Sequence, residues 1–444
     1  MHDMKDVTRR LALLSASLVA VSCGGHGTGG DAATDTSTDD AAVEEDDDDD
    51  ADQADAAEDG AEDDTGGDAA DVEEEEWTAP PLAWEPCPLH EDGSDWIAEC
   101  ATMDVPLRWG VTDGRTFTVA IKRVPRIVAT LEGQMWFLEG GPGGAGSYGY
   151  PDYMFWIREN YPAWEAYTID ARGTGKSQFL PCPSGPSLEE VDFTSTLDEV
   201  QYCIDSLEAS HGSDLDAYGA TQCAHDLNAL VQATRGPGSR VLVWGNSAGT
   251  FWAHRFLAFF PDSVDGVVLE ALLPPDFFGG FQDEGLEQVV RSILAMCASD
   301  ASCSSRLPDP LGALSSLVAA MEAGHCADRG WTVARMRSLI GFLVYYRPYN
   351  QAIPGLIHRL TRCDAADAAA LDTLEAENFL PGAPSGFSIA VFFNEYLSEM
   401  WDHPLYAGTD AYIEYLDAVY ADALVLEGGG YAMHEIYRAL VAHR

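Results

Sequence analysis

Gly245-Asn246-Ser247-Ala248-Gly249 is the part of this sequence best built for covalent chemistry. It follows an apolar run, Val241–Trp244, that reads as a buried strand. It precedes Ala248–Phe260, whose apolar spacing reads as a helix. A strand-to-helix bend this tight has no room for bulk two residues either side of the serine, which accounts for Gly245 and Gly249. Such a bend lifts the Ser247 hydroxyl clear of the sheet edge, where it can serve as a nucleophile. The Ala248 N–H points to the same spot, and a tetrahedral intermediate needs such a donor beside its oxygen. A serine merely completing a tight turn is the plainer reading; the placement between strand and helix favours chemistry.

A second segment can supply the partner donor. The Gln134–Leu138 strand runs into Gly140-Gly141-Pro142-Gly143-Gly144-Ala145-Gly146, a backbone that can bend close to a substrate oxygen. Gly141 or its neighbour is the expected second oxyanion donor. The same glycines spell G-x-G-x-x-G, and Asp170 follows at a strand end, as a dinucleotide site would have it. However, Tyr148-Gly149-Tyr150-Pro151 delays the helix such a site requires. Gly173-Thr174-Gly175-Lys176-Ser177 fails as a phosphate loop because Asp170 stands where the first glycine belongs. Asp170 and Arg172 are expected to pair and brace the turn after their strand. There is no C-x-x-C and no zinc-like His/Cys spacing, so neither metal nor cofactor is expected.

The elements that must hold these residues alternate. Ala101–Leu107 and Thr116–Val124 read as an opening strand pair, and Trp164–Ile169 and Gly266–Leu269 as further strands. Tyr218–Ala233 has helical spacing. Strand–helix alternation predicts a mostly parallel sheet with helices on both faces. Beyond Pro274-Pro275 the pattern is helical, as in Leu286–Ala295, Leu311–Met321 and Arg335–Tyr346, which suggests a cap over 282–420 on a core of 77–281. Residues 421–444 read as the start of a return to the core.

The N-terminal 76 residues read differently. Lys5, Arg9 and Arg10 precede an apolar run over 11–21, then Ser22, Cys23 and Gly24, the pattern of a processed export signal (1–23). Eleven residues are too few to span a bilayer, which needs about 20. Ala20-Val21-Ser22-Cys23 resembles a bacterial lipobox, so Cys23 is the expected lipid attachment and a membrane the expected partner. Residues 24–76 are expected to stay disordered; 31–76 carry 24 acidic and no basic residues. As a coil those 46 residues would span about 35–40 Å, a spacer between membrane and enzyme. Asp46–Asp50 reads as a solvated charge run rather than a calcium site. A net charge of −50 argues against nucleic acid. Ten cysteines suit an oxidising compartment; closeness in sequence suggests Cys87–Cys100, Cys182–Cys203, Cys297–Cys303 and Cys326–Cys363, with Cys223 left over.

Taken in order, Gly140-Gly141-Pro142-Gly143, then Asp170-x-Arg172-Gly173-x-Gly175-x-Ser177, then Gly245-x-Ser247-x-Gly249 resemble the prolyl and tripeptidyl aminopeptidase group of α/β-hydrolases. Cys100–Leu107 and Leu180-Pro181-Cys182-Pro183 are similar to its secreted members, and the resemblance spans roughly 84–405. It implies an α/β-hydrolase fold with a helical, cysteine-bearing cap, and release of N-terminal residues or short peptides from peptide substrates without metal. Glu139 departs from the histidine that often precedes the glycines. The resemblance also implies an acid after a late core strand and a histidine after the last one. Neither pattern occurs by residue 444, so the sequence is expected to stop before the last two strands. Glu427 and His434, after a short strand at Ala423–Leu426, are the stand-in candidates for acid and base. In the cap, Glu395 within Phe393-Asn394-Glu395-Tyr396 is the candidate for holding a substrate ammonium by charge and cation–π contact. An esterase or lipase using the same parts, and an inactive hydrolase domain serving as a binding module, are the alternatives.

Overall fold

The computed structural model describes residues 77–400 apart from 92, 94–96, 187–190, 192–196, 276, 278–281, 346–348 and 379–384, together with 414, 423 and 424. Seven strands form one sheet: β1 (Glu85–Pro88), β2 (Ile97–Pro106), β3 (Thr116–Val124), β4 (Gly133–Leu138), β5 (Trp164–Ile169), β6 (Arg240–Asn246) and β7 (Gly266–Glu270). Their spatial order is β1-β2-β3-β5-β4-β6-β7. The pairs from β1 to β5 through β3 are antiparallel, whereas β5/β4, β4/β6 and β6/β7 are parallel.

Helices α1 (Pro151–Asn160), α2 (Leu197–His211), α3 (Ala220–Thr234) and α4 (Ala248–Phe259) make the crossovers. Strands covered on both faces must be apolar throughout, and all six residues of β4 are buried. Met135 and Phe137 pack toward Met154 and Ile157 of α1. Trp136 and Leu138 pack on the other face with Leu227 and Leu230 of α3 and Phe251 and Phe256 of α4.

A second, separate core lies in α5 (Gln282–Ser299), α6 (Pro310–Glu322), α7 (Val333–Tyr345), α8 (Ile353–Arg362) and α9 (Ala365–Asn378), around Trp331, Met336, Ile340 and Ile357. This is the helical cap. The helix α10 (Ile389–Leu397), although its spacing groups it with the cap, packs Ile389, Val391, Phe393 and Tyr396 into the core of the sheet. The four disulfides form in the expected pairs, and Cys223 is a buried free thiol. Ala423 and Leu424 form no strand; Arg337 of α7 donates to both their carbonyls. The rest of that expected strand, and the 1–76 segment with Cys23, lie outside the described residues.

Candidate active site

Strand β6 ends at Asn246, α4 begins at Ala248, and Ser247 between them has φ 52° and ψ −121°. A residue with a Cβ is held in such a conformation at a cost of order 1–3 kcal/mol, and only where its surroundings dictate it. Those surroundings are visible. The Ser247 N–H donates to the Glu270 carbonyl at the end of β7 (2.9 Å), and the Ser247 carbonyl accepts from the Thr250 N–H and Oγ (2.9 and 2.7 Å). Gly245 and Gly249 face each other so closely that a Cβ on Gly245 would lie 2.4 Å from the Gly249 carbonyl oxygen. The serine is half-buried.

The glycine run lies against this bend. A Cβ on Gly140 would fall 2.9 Å from Ser247 Cβ and 3.3 Å from the Ala248 nitrogen. Gly141 and Gly143 have φ of 123° and 95°, which only glycine adopts freely. The Gly140 N–H is taken, donating to Glu139 Oε1 at 2.9 Å. The N–H groups of Gly141 and Ala248 donate to nothing among the described residues. Both expected oxyanion donors are therefore unengaged among the described residues; Ala248 follows the serine directly, and Gly140, the neighbour of Gly141, packs against its Cβ.

The glycine loop is held from two sides. Asp170 accepts from the Ser147 N–H and Oγ (2.8 Å each) and from the Lys176 N–H (2.9 Å). On the other side the Ser388 N–H donates to the Gly143 carbonyl at 2.9 Å, and Ser388 Oγ to Leu180 at 2.7 Å. Asp170 does not pair with Arg172 as expected. Arg172, fully buried, needs a planar acceptor for its fork of N–H groups, and Asp226 of α3 supplies it at 2.7 and 2.8 Å. Its remaining N–H groups reach the carbonyls of Pro106, Leu107 and Ala217.

Glu395 on α10 comes to the elbow. It lines a small cavity with Glu139, Gly143, Ala248, Trp252 and Cys223. Its side chain is 6% exposed, and no described residue donates to it. Burial pushes its carboxyl well above the usual range, Glu399 adds to this, and Arg255 works against it. Glu139 is also raised by burial, held back by the Gly140 N–H. Cys223 stands out in the sequence only as the unpaired cysteine, and Trp252 not at all; Trp252 is four residues past Ala248, one turn along the same helix face, and that spacing is its signal.

No described histidine is hydrogen-bonded to Ser247. His254 sits on α4 seven residues on, about 10 Å along the axis. His225 is held among Trp109, Phe259 and Phe260. Glu427 and His434 lie outside the described residues. Among the described residues no cluster of His, Cys, Asp or Glu is able to hold a metal ion.

A family model described as alpha/beta hydrolase fold matches residues 136–297, from β4 through the elbow into the cap. The fold is that of the α/β-hydrolases. Solved structures similar to this hydrolase-fold chain include an α/β-hydrolase from Novosphingobium aromaticivorans (15% identity, 48% of this chain and 50% of that one, TM-score 0.25). A cold-adapted esterase from an Arctic intertidal metagenomic library is 16% identical over 39% of this chain and 60% of its own, with TM-score 0.25. A laboratory-evolved variant of a potato epoxide hydrolase is 14% identical over 64% and 72%, with TM-score 0.28. The chain thus spans about half the length of the first and three-fifths of the second. No curated protein matches the sequence.

Proposed function

We propose that the protein is an exported serine hydrolase of exopeptidase type, acting at the free amino ends of peptides. Ser247 attacks the carbonyl carbon of the first peptide bond, and the Gly141 and Ala248 N–H groups hold the oxygen that becomes negative. The leaving amine departs with a proton, and water then cleaves the acyl-enzyme. A histidine base with its orienting acid completes this chemistry, and His434 with Glu427 are the candidates.

The carrying observation is the strained, half-buried Ser247 at φ 52°, with the glycine loop packed against its Cβ and the Gly141 and Ala248 N–H groups donating to no described residue. Peptide amines are favoured as substrate because a buried carboxyl without a described donor, Glu395, lines the cavity beside Ala248. Four disulfides support export, and Cys23 is the proposed lipid attachment.

A fluorophosphonate probe tests the first half: it should label the full chain and fail on Ser247→Ala. Alanyl and prolyl anilides, set against nitrophenyl esters, test the second. Turnover of the esters alone would replace the peptidase reading with an esterase, and an unlabelled wild-type protein would remove the enzyme reading.

A further inference from the structure

The Gly141 N–H can hold an oxyanion only if its peptide is turned the right way, and the loop carries a device that fixes that peptide, an inference that rests on the serine-hydrolase reading above. A trans peptide is planar, so its N–H points opposite to its carbonyl. The direction of the Gly141 N–H is therefore set by the Gly140 carbonyl. That carbonyl accepts from the Gly144 N–H at 3.0 Å, back inside the loop. Gly140 is held at its other end too, because its N–H donates to Glu139 Oε1 at 2.9 Å. Together the two contacts clamp Gly140, which packs against Ser247 Cβ and the Ala248 nitrogen.

The loop is shaped around the Glu139 side chain. A Cβ on Gly144 would lie 2.7 Å from Glu139 Cγ, and one on Gly149 would lie 1.7 Å from Oε2 and 2.7 Å from Cδ. The three atoms nearest that Gly149 position all belong to Glu139. Gly149 closes the short helical turn Gly146–Gly149 and is not in the left-handed region, so it makes room for the carboxyl rather than for an unusual backbone. Holding the Gly140 N–H takes an acceptor and not a charge, so a glutamine amide oxygen can stand in for the carboxyl.

We infer that Glu139 is a positioning residue of the oxyanion site: it holds the Gly140 N–H and so keeps the Gly141 N–H turned out of the loop, toward the oxygen that becomes negative when Ser247 attacks. Without it the Gly140–Gly141 peptide keeps only its tie to Gly144, and a free Gly140 N–H competes beside the serine.

Fluorophosphonate inactivation of the full chain tests this, with the limiting rate kinact and the half-saturating concentration KI measured separately. Glu139→Ala should lower kinact about ten- to hundred-fold, because a misdirected donor is missed in the transition state. KI should stay within about two-fold, because the unreacted probe carries no oxyanion. Glu139→Gln, which keeps an acceptor, should recover most of that loss. Gly149→Ala reaches the same contact from the other side: the carboxyl is the flexible partner, so it swings away from the new methyl and kinact falls as in Glu139→Ala. Added to Glu139→Ala, it should lower kinact no further. An unchanged kinact in Glu139→Ala, a Gln variant as slow as the Ala variant, or a Gly149→Ala loss that adds in full to that of Glu139→Ala each overturns the positioning role and leaves the serine hydrolase standing. If Glu139→Ala does not fold, an unchanged kinact in Gly149→Ala overturns it equally. A wild-type protein that takes no label overturns the hydrolase reading and this inference with it.

Discussion

Replacing Gly249 with alanine is the sharpest available test of how the elbow is built. The added Cβ would stand 2.2 Å from the Leu138 carbonyl oxygen, 2.9 Å from its carbon and 3.1 Å from the Glu139 oxygen. Ordinary contact begins near 3.4 Å, so the end of β4 or the start of α4 must yield by about 1 Å. Neither can do so cheaply, because β4 is paired on both sides and Ser247 is pinned to β7. Overpacking against backbone should cost about 1–3 kcal/mol or more. The glycine loop follows Leu138 directly, so its N–H groups move with it. A misplacement of about 1 Å at a reacting centre costs on the order of 100-fold in rate. Fluorophosphonate labelling of Gly249→Ala should therefore slow by about that factor, with a melting temperature lowered by several degrees. Gly285→Ala is the control: exposed on α5 with nothing within 4 Å, it should gain a few tenths to about 1 kcal/mol and label normally. Labelling at the wild-type rate with an unchanged melting temperature in Gly249→Ala would refute the steric account.

Three further outcomes follow from named contacts. Asp226→Asn leaves the Arg172 guanidinium buried without its counter-charge and should cost about 3–5 kcal/mol, read as a lower urea midpoint. Glu395 has its carboxyl raised by burial, so the fold binds that proton more tightly than the unfolded chain does. Its contribution is complete at acidic pH below the ordinary carboxyl range and is lost as pH rises toward the folded value. Glu395→Gln should therefore flatten the fall in melting temperature as pH rises above the ordinary carboxyl range; an unchanged slope would contradict the burial of that group. Removing Cys326–Cys363 by paired serine substitution frees a 37-residue loop and should cost about 4 kcal/mol on the loop-entropy account. Hydrogen exchange should speed up across α6–α9 and stay unchanged in β4–β6.

Local pattern carried most of the scaffold. The alternation that places β3 to β7, the glycines that make the bend at Ser247, and cysteine pairs only 6 to 37 residues apart all depend on neighbours in sequence. What spacing could not reveal is partnership at a distance. Asp170 and Arg172 both lie just past the end of β5, yet Asp170 is bonded by Ser147, 23 residues back, and Arg172 by Asp226, 54 residues on. The placement of α10 against the glycine loop joins Gly143 to Ser388, and no periodicity announces it. Its helical pattern looked like the rest of the cap because amphipathic spacing says which face is apolar, not what covers it.

That joining of Gly143 to Ser388 has a consequence for when the protein acquires its reactivity. A chain made or exported from its amino end completes the serine bend some 140 residues before Ser388 and Glu395 emerge. Until they arrive, the glycine loop lacks one of its two anchors and the cavity beside Ala248 lacks a wall. The serine bend is thus complete early in the chain, and the surroundings that hold its glycine loop wait on the late segment.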